Sequence, residues 1–527
     1  MKRQTSANRS TGHANSSQVS FTYDNGGRLS RITRPGSYLD FQYNARNWLT
    51  SVHTRKTDNS VIYDASYFYQ DGTTWDHTGN PLKRVENFGG SDFPTTLRYD
   101  KVYRLTEETK RDSSSNVLYS ESYSYDAVGN RLTRLKDGTT LLYAYDDNNK
   151  LTGITTQGGG PSAGFTYDAN GNMTSVTGTL LGAWNSLTYD DVNQLTAVTR
   201  PGGSDTYEYN ALGHRLRATI AGYVTRYVYA GDRVVEDNSA TGTVLAWHTV
   251  SGPGYGDHWL HMKRWNTTHL YPAYDATGSA REMVDASGTV SDTYTLDAFG
   301  VPLASTGSDP NPYRYDAAWG YLSDGSGLQQ LGYRFYWPEL GRFLQQDPIG
   351  DGMNWYAYVG NNPVTRIDPT GLKIAIIGDP CLYYQAIRYL SQVPKIRSII
   401  ADLERSPITY KIVMNDKEDD SYNPWSHVIR WDPYSAMLTT NGGIQSPAMG
   451  LGHEMAHADF PEALAAALAA ERDPRYRDRE EWRVIVRIET PAAIRLGEGA
   501  RRDHYGTAFP VWGPTIFPSS LGPEWVW

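Results

Sequence analysis

The amino-acid sequence predicts a multidomain chain in which a long all-β repeat region is followed by a small α+β domain. Three observations lead to this fold class. The chain has 527 residues, which is too long for one ordinary hydrophobic core. A short aromatic phrase recurs through its first part at a step of about 20 to 22 residues. The phrase stops near residue 372, where a short apolar run and then helix-like periodicity replace it.

Composition and charge exclude several classes of protein. The chain carries 49 Lys+Arg against 58 Asp+Glu, so a general nucleic-acid partner is not expected. Cys381 is the single cysteine, which excludes an intrachain disulfide framework. No run approaches the roughly 18 apolar residues of a membrane span, and the N-terminus has no apolar signal-peptide core. We therefore expect no membrane span, no signal peptide, and secretion by a specialised system.

The repeated phrase has the pattern of an aromatic hairpin. Examples are YSYDAVGNRLTRL from Tyr123, YAYDDNNKLTGIT from Tyr143 and FTYDANGNMTSVT from Phe165. Each reads as an alternating aromatic strand, a turn rich in Asp, Asn and Gly, and a second alternating strand. One hairpin cannot bury its aromatic face alone, so neighbouring hairpins must stack into an extended or wrapped sheet. Periodicity leaves open both a solenoid that spaces two functional ends and a closed shell.

These units resemble the YD repeats of the Rhs family. The segment that includes YRFYWPELGRFLQQDPIGDGMNWYAYVGNNPVTRIDPTGL resembles the core terminus of that family, and the resemblance covers nearly all of residues 20–372. It implies an all-β spiral shell over residues 1–312, a core-terminal self-cleavage segment over residues 313–372, and enclosure of a C-terminal toxin. Because roughly 370 residues is short for a complete Rhs shell, we expect a partial cocoon.

Two aspartates of the core-terminal segment are candidate catalytic residues. Asp347 lies in QQDPIG and Asp368 in RIDPTGL, and two close carboxylates can divide the roles of acid and base in an aspartyl-type cleavage. Asp-Pro pairs also form ordinary turns, and the motif alone favours that interpretation. The resemblance implies instead that both aspartates are catalytic and that self-cleavage occurs between Leu372 and Lys373. Asp351 is a weaker third candidate.

The stretch MGLGHEMAHADF, residues 449–460, predicts a metal site of the zincin type. It is followed by ALAAALAAE, the strongest helix-forming run in the chain. In a helix, His453 and His457 lie one turn apart and can place two imidazole nitrogens on one zinc ion. Glu454 then lies beside the metal and is the expected catalytic base. The alternative is a pair of exposed histidines on a surface helix.

Two histidines require a third protein ligand. The downstream segment offers Glu481, Glu489, Glu498 and His504, of which we expect Glu481 to bind the metal, with Glu489 as the alternative. This part of the sequence resembles metallopeptidase effectors and Rhs-tip toxin domains related to type III effector proteases. The resemblance implies that the two histidines bind Zn²⁺ and that the glutamate between them is the catalytic base. His504 and Tyr505 are candidate donors to an oxyanion.

The combined expectation is an Rhs toxin effector. Its shell encapsulates, and by self-cleavage releases, a zinc metalloendopeptidase of residues 373–527 that cleaves a protein in a target cell. The expected partners are that protein substrate, a cognate immunity protein and a component of the secretion apparatus. A nuclease is disfavoured because residues 373–527 contain 17 Lys+Arg against 20 Asp+Glu. The rival interpretation is a cell-surface adhesion or carbohydrate-binding repeat protein with a non-catalytic tail.

Overall fold

In this computed structural model, most of the chain between residues 19 and 515 is described. The described residues are 6–7 and 19–515, apart from 25–27, 47, 73, 77, 183, 185, 212, 232, 252–257, 324, 348–352, 369–370, 372–374, 378–379, 406–409, 416–419, 425–426 and 512.

The repeats form two large antiparallel sheets in which strands follow one another in chain order. The first sheet and a small side hairpin, β7–β8, contain β1 Ser6–Ala7, β2 Val19–Tyr23, β3 Leu29–Arg34, β4 Ser37–Tyr43, β5 Leu49–Lys56, β6 Val61–Phe68, β7 Gln70–Asp71, β8 Thr74–Trp75, β9 Lys83–Phe88, β10 Ser91–Tyr99, β11 Leu105–Arg111, β12 Val117–Tyr125, β13 Arg131–Lys136, β14 Thr139–Tyr145, β15 Leu151–Thr156, β16 Ser162–Tyr167 and β17 Met173–Gly178.

The second sheet continues the same meander. Its strands are β18 Ser186–Tyr189, β19 Leu195–Arg200, β20 Gly203–Tyr209, β21 Arg215–Ile220, β22 Tyr223–Ala230, β23 Arg233–Asn238, β24 Val244–Val250, β25 Trp259–Arg264, β26 His269–Tyr274, β27 Ala280–Asp285, β28 Val290–Leu296 and β29 Pro302–Thr306. We call residues 19–306 the repeat region.

The Tyr-Asp pair of the repeat has a physical explanation in the hairpin. The Asp carboxylate accepts hydrogen bonds from backbone N–H groups two and four residues further on, which closes the turn. Asp126, for example, accepts from the backbone N–H groups of Val128 and Asn130. The strand register shifts at the Tyr, as it does between Ser124 and Tyr125. The Tyr hydroxyl then donates to a carbonyl of the preceding unit. Such bonds join Tyr43 to Leu29, Tyr125 to Leu105, Tyr145 to Arg131, Tyr189 to Met173, Tyr209 to Leu195 and Tyr229 to Arg215. Each of these six units is therefore tied to the one before it.

The two sheets wrap around a shared interior. Buried residues of both belong to one hydrophobic cluster, which extends from Val19 to Leu344. A second cluster packs Val52 and Ile62 of the first sheet against Ala273 and Val284 of the second. Early strands of the first sheet thus lie against late strands of the second. The repeat region is a wrapped, mostly β structure, as the sequence predicted, and differs in this from a spacer solenoid.

Residues 313–371, which we call the terminal segment, run across the turns of successive repeats. They contain short 3-10 turns at Ala317–Trp319 and Val359–Asn361 and a four-stranded sheet of β30 Leu322–Ser323, β31 Gln329–Leu331, β32 Arg334–Trp337 and β33 Arg342–Phe343. Hydrogen bonds connect Asn362 to Asn80, Asn361 to Gly129, Asn354 to Asn130, Arg342 to Asn149, Tyr356 to Gly171, Gln345 to Asn193 and Ala318 to Arg233. The terminal segment therefore caps one end of the repeat region.

Residues 375–515, the C-terminal region, mix helices with short strands. The elements are β34 Ala375–Ile377, α1 Pro380–Leu390, α2 Pro394–Arg405, β35 Lys411–Met414, β36 Ser421–Asn423, β37 Val428–Trp431, β38 Ser435–Thr439, β39 Ile444–Gln445, α3 Pro447–Ala458, α4 Glu462–Ala469, β40 Arg472–Asp473, β41 Arg477–Asp478, α5 Arg479–Val484, a π-helical turn Ile485–Glu489, α6 Thr490–Leu496 and β42 Gly506–Pro510.

The C-terminal region has its own hydrophobic core. Strands β34, β35 and β37 are parallel, with β36 antiparallel at one edge, and β38 pairs with both β39 and β42. The core extends from Leu382 to Leu496, and none of its residues belongs to the clusters of the repeat region. The domain bounds at residues 312 and 372 stay predictions. Among the described helices, none is long and apolar enough to cross a membrane.

Candidate metal centre

Helix α3 carries both histidines of the HEMAH motif through the core. Its first turn is fixed by Ser446, whose hydroxyl accepts from the Met449 amide, and by a proline at the first helical position. Gly452 lets the helix approach α1 closely, because a Cβ there would lie 3.1 Å from Leu390 Cδ2. The prediction of a helix here is confirmed, and most of α3 is buried.

The structure brings His453, His457 and Glu481 together. One ligand atom from each lies within 4.8 Å of the other two. The two histidine Nε2 atoms are 3.1 Å apart, and they lie 3.3 Å and 3.6 Å from the carboxylate oxygens of Glu481. Glu481 stands on α5, which follows the cap provided by Asp478. Surface histidines are thus excluded, and the third residue is the glutamate that the sequence favoured.

The other ring nitrogen of each histidine meets a second glutamate. His453 Nδ1 lies 2.6 Å from Glu489, and His457 Nδ1 lies 3.0 Å from Glu480. Glu489 is 1% exposed and also accepts from Gln445 and Arg501. Both Nε2 atoms therefore face Glu481.

Charges in the cluster are strongly coupled. Burial alone would lower the pKa of His453, but hydrogen bonds to Glu481 and Glu489 outweigh burial and raise the pKa to about 10. The pKa of His457 is raised in the same way through Glu480 and Glu481. Burial would raise the pKa of Glu481, yet the two histidines hold it far below its ordinary range. A metal ion would have to displace the histidine protons.

The cluster opens into a cleft of ≈ 870 Å³. Glu454, 8% exposed, lines the cleft, and its Oε1 lies 3.9 Å from His453 Nε2. Asp420 lines the same cleft beside Gly450, where any Cβ would meet its Oδ2 at 2.2 Å. Burial, with Glu454 nearby, raises the pKa of Asp420 to about 8. The cleft is acidic, with Arg477 and Arg501 on its wall.

The other residues that the sequence offered as metal ligands or oxyanion donors lie around the group of three. Glu489 lies behind His453 and outside the group of three. Glu498 accepts from the Ser446 amide and hydroxyl, so it anchors the start of α3. His504 Nδ1 is 3.2 Å from Glu481 Oε2, whereas Tyr505 is 59% exposed. Their part in binding an oxyanion stays a prediction.

The two aspartates of the terminal segment share one arginine partner. Both are buried, and Arg334 Nη2 lies 3.4 Å from Asp347 and 3.2 Å from Asp368. Arg334 also donates to the Gly371 carbonyl. The bond between Leu372 and Lys373, and Asp351, lie outside the described residues.

Sequence reasoning missed two residues and one backbone feature of this site. Glu480 is adjacent to Glu481 in the sequence, and the sequence pattern did not indicate that Glu480 would contact His457. Asp420 is distant in sequence and carried no motif. The π-helical turn, which directs Glu489 towards α3, has a usable signal in Pro491, because a proline inside a helix clashes with the preceding turn.

Residues 73–232 match the family model described as Teneurin YD-shell. The match includes five of the six hairpins whose Tyr hydroxyl bonds are described above, those of Tyr125, Tyr145, Tyr189, Tyr209 and Tyr229. These repeats are of the YD-shell type. Two expectations stay predictions: that the YD shell encloses the C-terminal residues, and that it forms a partial cocoon.

Two curated relatives and one solved structure are similar to parts of this chain. The tRNA nuclease WapA of Bacillus subtilis (strain 168) is 33% identical over 371 residues, which are 67% of this chain and 15% of the relative. Double-stranded DNA deaminase toxin A of Burkholderia cenocepacia (strain H111) is 28% identical over 196 residues, covering 32% of this chain and 14% of the relative. A chain in the crystal structure of TcdB2-TccC3-Cdc42 aligns with a TM-score of 0.39 and 21% identity, over 68% of this chain and 22% of that one. The chain thus spans about one seventh of the length of these curated relatives.

These relatives correct one set of predictions. The assignment of the chain as a zinc metalloendopeptidase is wrong, because the relatives are a tRNA nuclease and a DNA deaminase toxin. Aspartyl-type self-cleavage stays a prediction. The expected protein substrate in the target cell is contradicted by the same relatives. The physical reason for the error is that two histidines and a glutamate on helices specify metal ligands and a nearby base, and do not specify which bond is broken.

Proposed function

We propose that the chain is a toxin effector of the YD-shell type whose C-terminal region holds a divalent metal ion, with Zn²⁺ as the expected ion. The observation that carries the proposal is the convergence of His453, His457 and Glu481 on one point beside a large cleft. Two imidazoles and one carboxylate are a normal donor set for a catalytic zinc site, which keeps a further position open.

The donor set fits the ion. Glu481 Oε2 is buried and lies 3.3 Å from His453 Nε2, so a carboxylate oxygen and an imidazole nitrogen converge where the ion would bind. Both histidines turn Nε2 towards it, because glutamates hold Nδ1. When bound, the ion would supply a Lewis acid that lowers the pKa of water.

The protein's own residues supply the rest of a hydrolytic site. Glu454 lines the cleft next to His453 and is placed to accept a proton from an attacking water. Arg477 and His504 also contact the Glu481 carboxylate, at 2.6 Å and 3.2 Å, and help to fix its orientation. Met449 and Phe460 give the cleft an apolar side.

Nucleic acid is the substrate class to test first, because both curated relatives act on it by name. The charges set a condition for such a substrate. Asp420, Glu454 and Glu480 line the cleft, so a polyanion would be repelled unless the metal and Arg501 offset these carboxylates. The metal should therefore be required for the binding of RNA or DNA as well as for the cleavage of RNA or DNA.

The proposed setting is delivery into a target cell by a secretion apparatus, with an immunity protein protecting the producer. The word toxin in the name of one relative supports this setting. The competing adhesion interpretation predicts that Glu454 has no effect on target cells and that no metal binds.

The experiment uses the purified full chain and its Glu454→Gln and His453→Ala variants. We expect about one zinc per chain in the parent and in Glu454→Gln, and loss of that zinc in His453→Ala. Expression of the C-terminal region in a sensitive host should be toxic for the parent only, with total RNA and DNA examined for cleavage. Equal toxicity of parent and Glu454→Gln, or a parent without zinc after reconstitution, would overturn the proposal.

A further inference from the structure

The helix that carries Glu481 is continuous with the one that carries Glu489. Residues 479–496 form α5, the π-helical turn and α6 without a break. In an unbroken α-helix, two residues eight positions apart differ by about 80° around the axis. A π turn winds more slowly per residue and removes roughly this offset. Glu481 and Glu489 consequently both face α3.

We propose that Glu489 and Glu480 are positioning residues for the metal centre, each holding one histidine ring with Nε2 turned towards Glu481, and that the π-helical turn exists to place Glu489. This inference rests on the metal site proposed above. Each glutamate lies at hydrogen-bond distance from Nδ1, 2.6 Å for Glu489 and 3.0 Å for Glu480. A carboxylate at Nδ1 selects the tautomer that binds a metal through Nε2.

Each positioning residue is itself held. Glu489 accepts from Gln445 Nε2 at 2.8 Å and from Arg501 NH1 at 3.2 Å. Glu480 receives two bonds from Arg483, at 2.6 Å and 2.7 Å. A glutamate that only filled space would not need two further donors, and so these contacts fix the ring angles of both histidines before a metal arrives.

The test measures zinc affinity of the full chain by competition with a chromophoric chelator. We expect Glu489→Gln and Glu480→Gln each to weaken zinc binding by about 10- to 100-fold. The amide keeps the shape of the side chain but removes its charge. The visible spectrum of the cobalt-loaded protein should change in both variants, because the ligand geometry loosens.

Glu498→Gln is the matched control. Glu498 is also a buried glutamate of this region, but it contacts Ser446 and Tyr389 rather than a histidine. We expect it to lower Tm and to leave the zinc affinity unchanged. An unchanged affinity in Glu489→Gln and Glu480→Gln, or an equal loss in Glu498→Gln, would overturn the inference. A parent that binds no zinc would instead overturn the proposed function.

Discussion

Replacing Glu86 by glutamine should destabilise the junction between the two sheets. Glu86 lies on β9, is 0% exposed, and is surrounded by Lys110 at 3.0 Å, Arg84 at 3.3 Å and Arg281 at 3.4 Å. Arg281 comes from β27 of the second sheet. Burial would raise the pKa of Glu86, but the three cations hold it far below its ordinary range.

The expected magnitude follows from this arrangement. Removing one partner of a buried ion pair leaves uncompensated charge and costs about 3–5 kcal/mol. Arg84 and Arg281 retain Glu108 and Asp275, so we take about 4 kcal/mol. Unfolding entropy of about 2.1 cal/mol/K per residue over roughly 350 residues then gives a decrease in Tm of about 5 °C.

The assay is calorimetric unfolding of the full chain at neutral pH. The matched control is Glu208→Gln, which removes an exposed partner of Arg217 at 2.8 Å and should cost less than about 1 kcal/mol. Equal Tm values for the parent and Glu86→Gln would refute the reasoning, because the carboxylate could then not be buried between the sheets.

Three further outcomes are expected. Burial raises the pKa of Asp316 to about 8, so its neutral form is favoured in the folded state. The resulting stability is complete below the ordinary pKa of aspartate and is lost as pH rises through 8, and Asp316→Asn should flatten this part of a plot of Tm against pH. Tyr125→Phe deletes the 2.7 Å bond to the Leu105 carbonyl and should cost about 1 kcal/mol in urea unfolding, while an unchanged midpoint would contradict the role given to the repeated tyrosine. Gly171→Ala would place a Cβ 2.5 Å from Gln346 at a φ of +82°, and we expect a loss of about 1–3 kcal/mol, which a parent-like melting curve would rule out.

The hairpins of the repeat region were predictable because their causes are local. A Tyr-Asp pair followed by Asn or Gly fixes a turn within five residues, as Asp126 and Asn130 show. The contact of Arg281 with Glu86 was not predictable, since it joins strands almost 200 positions apart and has no sequence pattern.

The metal centre was predictable in part for the same reason. His453 and His457 share one helical turn, so their spacing alone places them together. The choice between Glu481 and Glu489 depends on a π-helical turn, and that turn depends on the tertiary setting of Pro491 as well as on the residue itself. Glu480 was missed because adjacency in sequence gave no hint that it would meet the second histidine.

The order of synthesis determines when the terminal segment becomes available to cap the repeat region. Ribosomes make a chain from its N-terminus, so every repeat turn that this segment contacts is complete before the segment emerges, and helix α3 emerges later still. Asn80 is made long before its hydrogen-bond partner Asn362, and Asn130 is made long before its partner Asn354. A chain interrupted before residue 313 would leave these turns uncapped, whereas a chain interrupted just after residue 371 would hold a finished cap and no metal centre. A nascent chain therefore contains every partner of the cap before it contains any residue of the proposed toxic site.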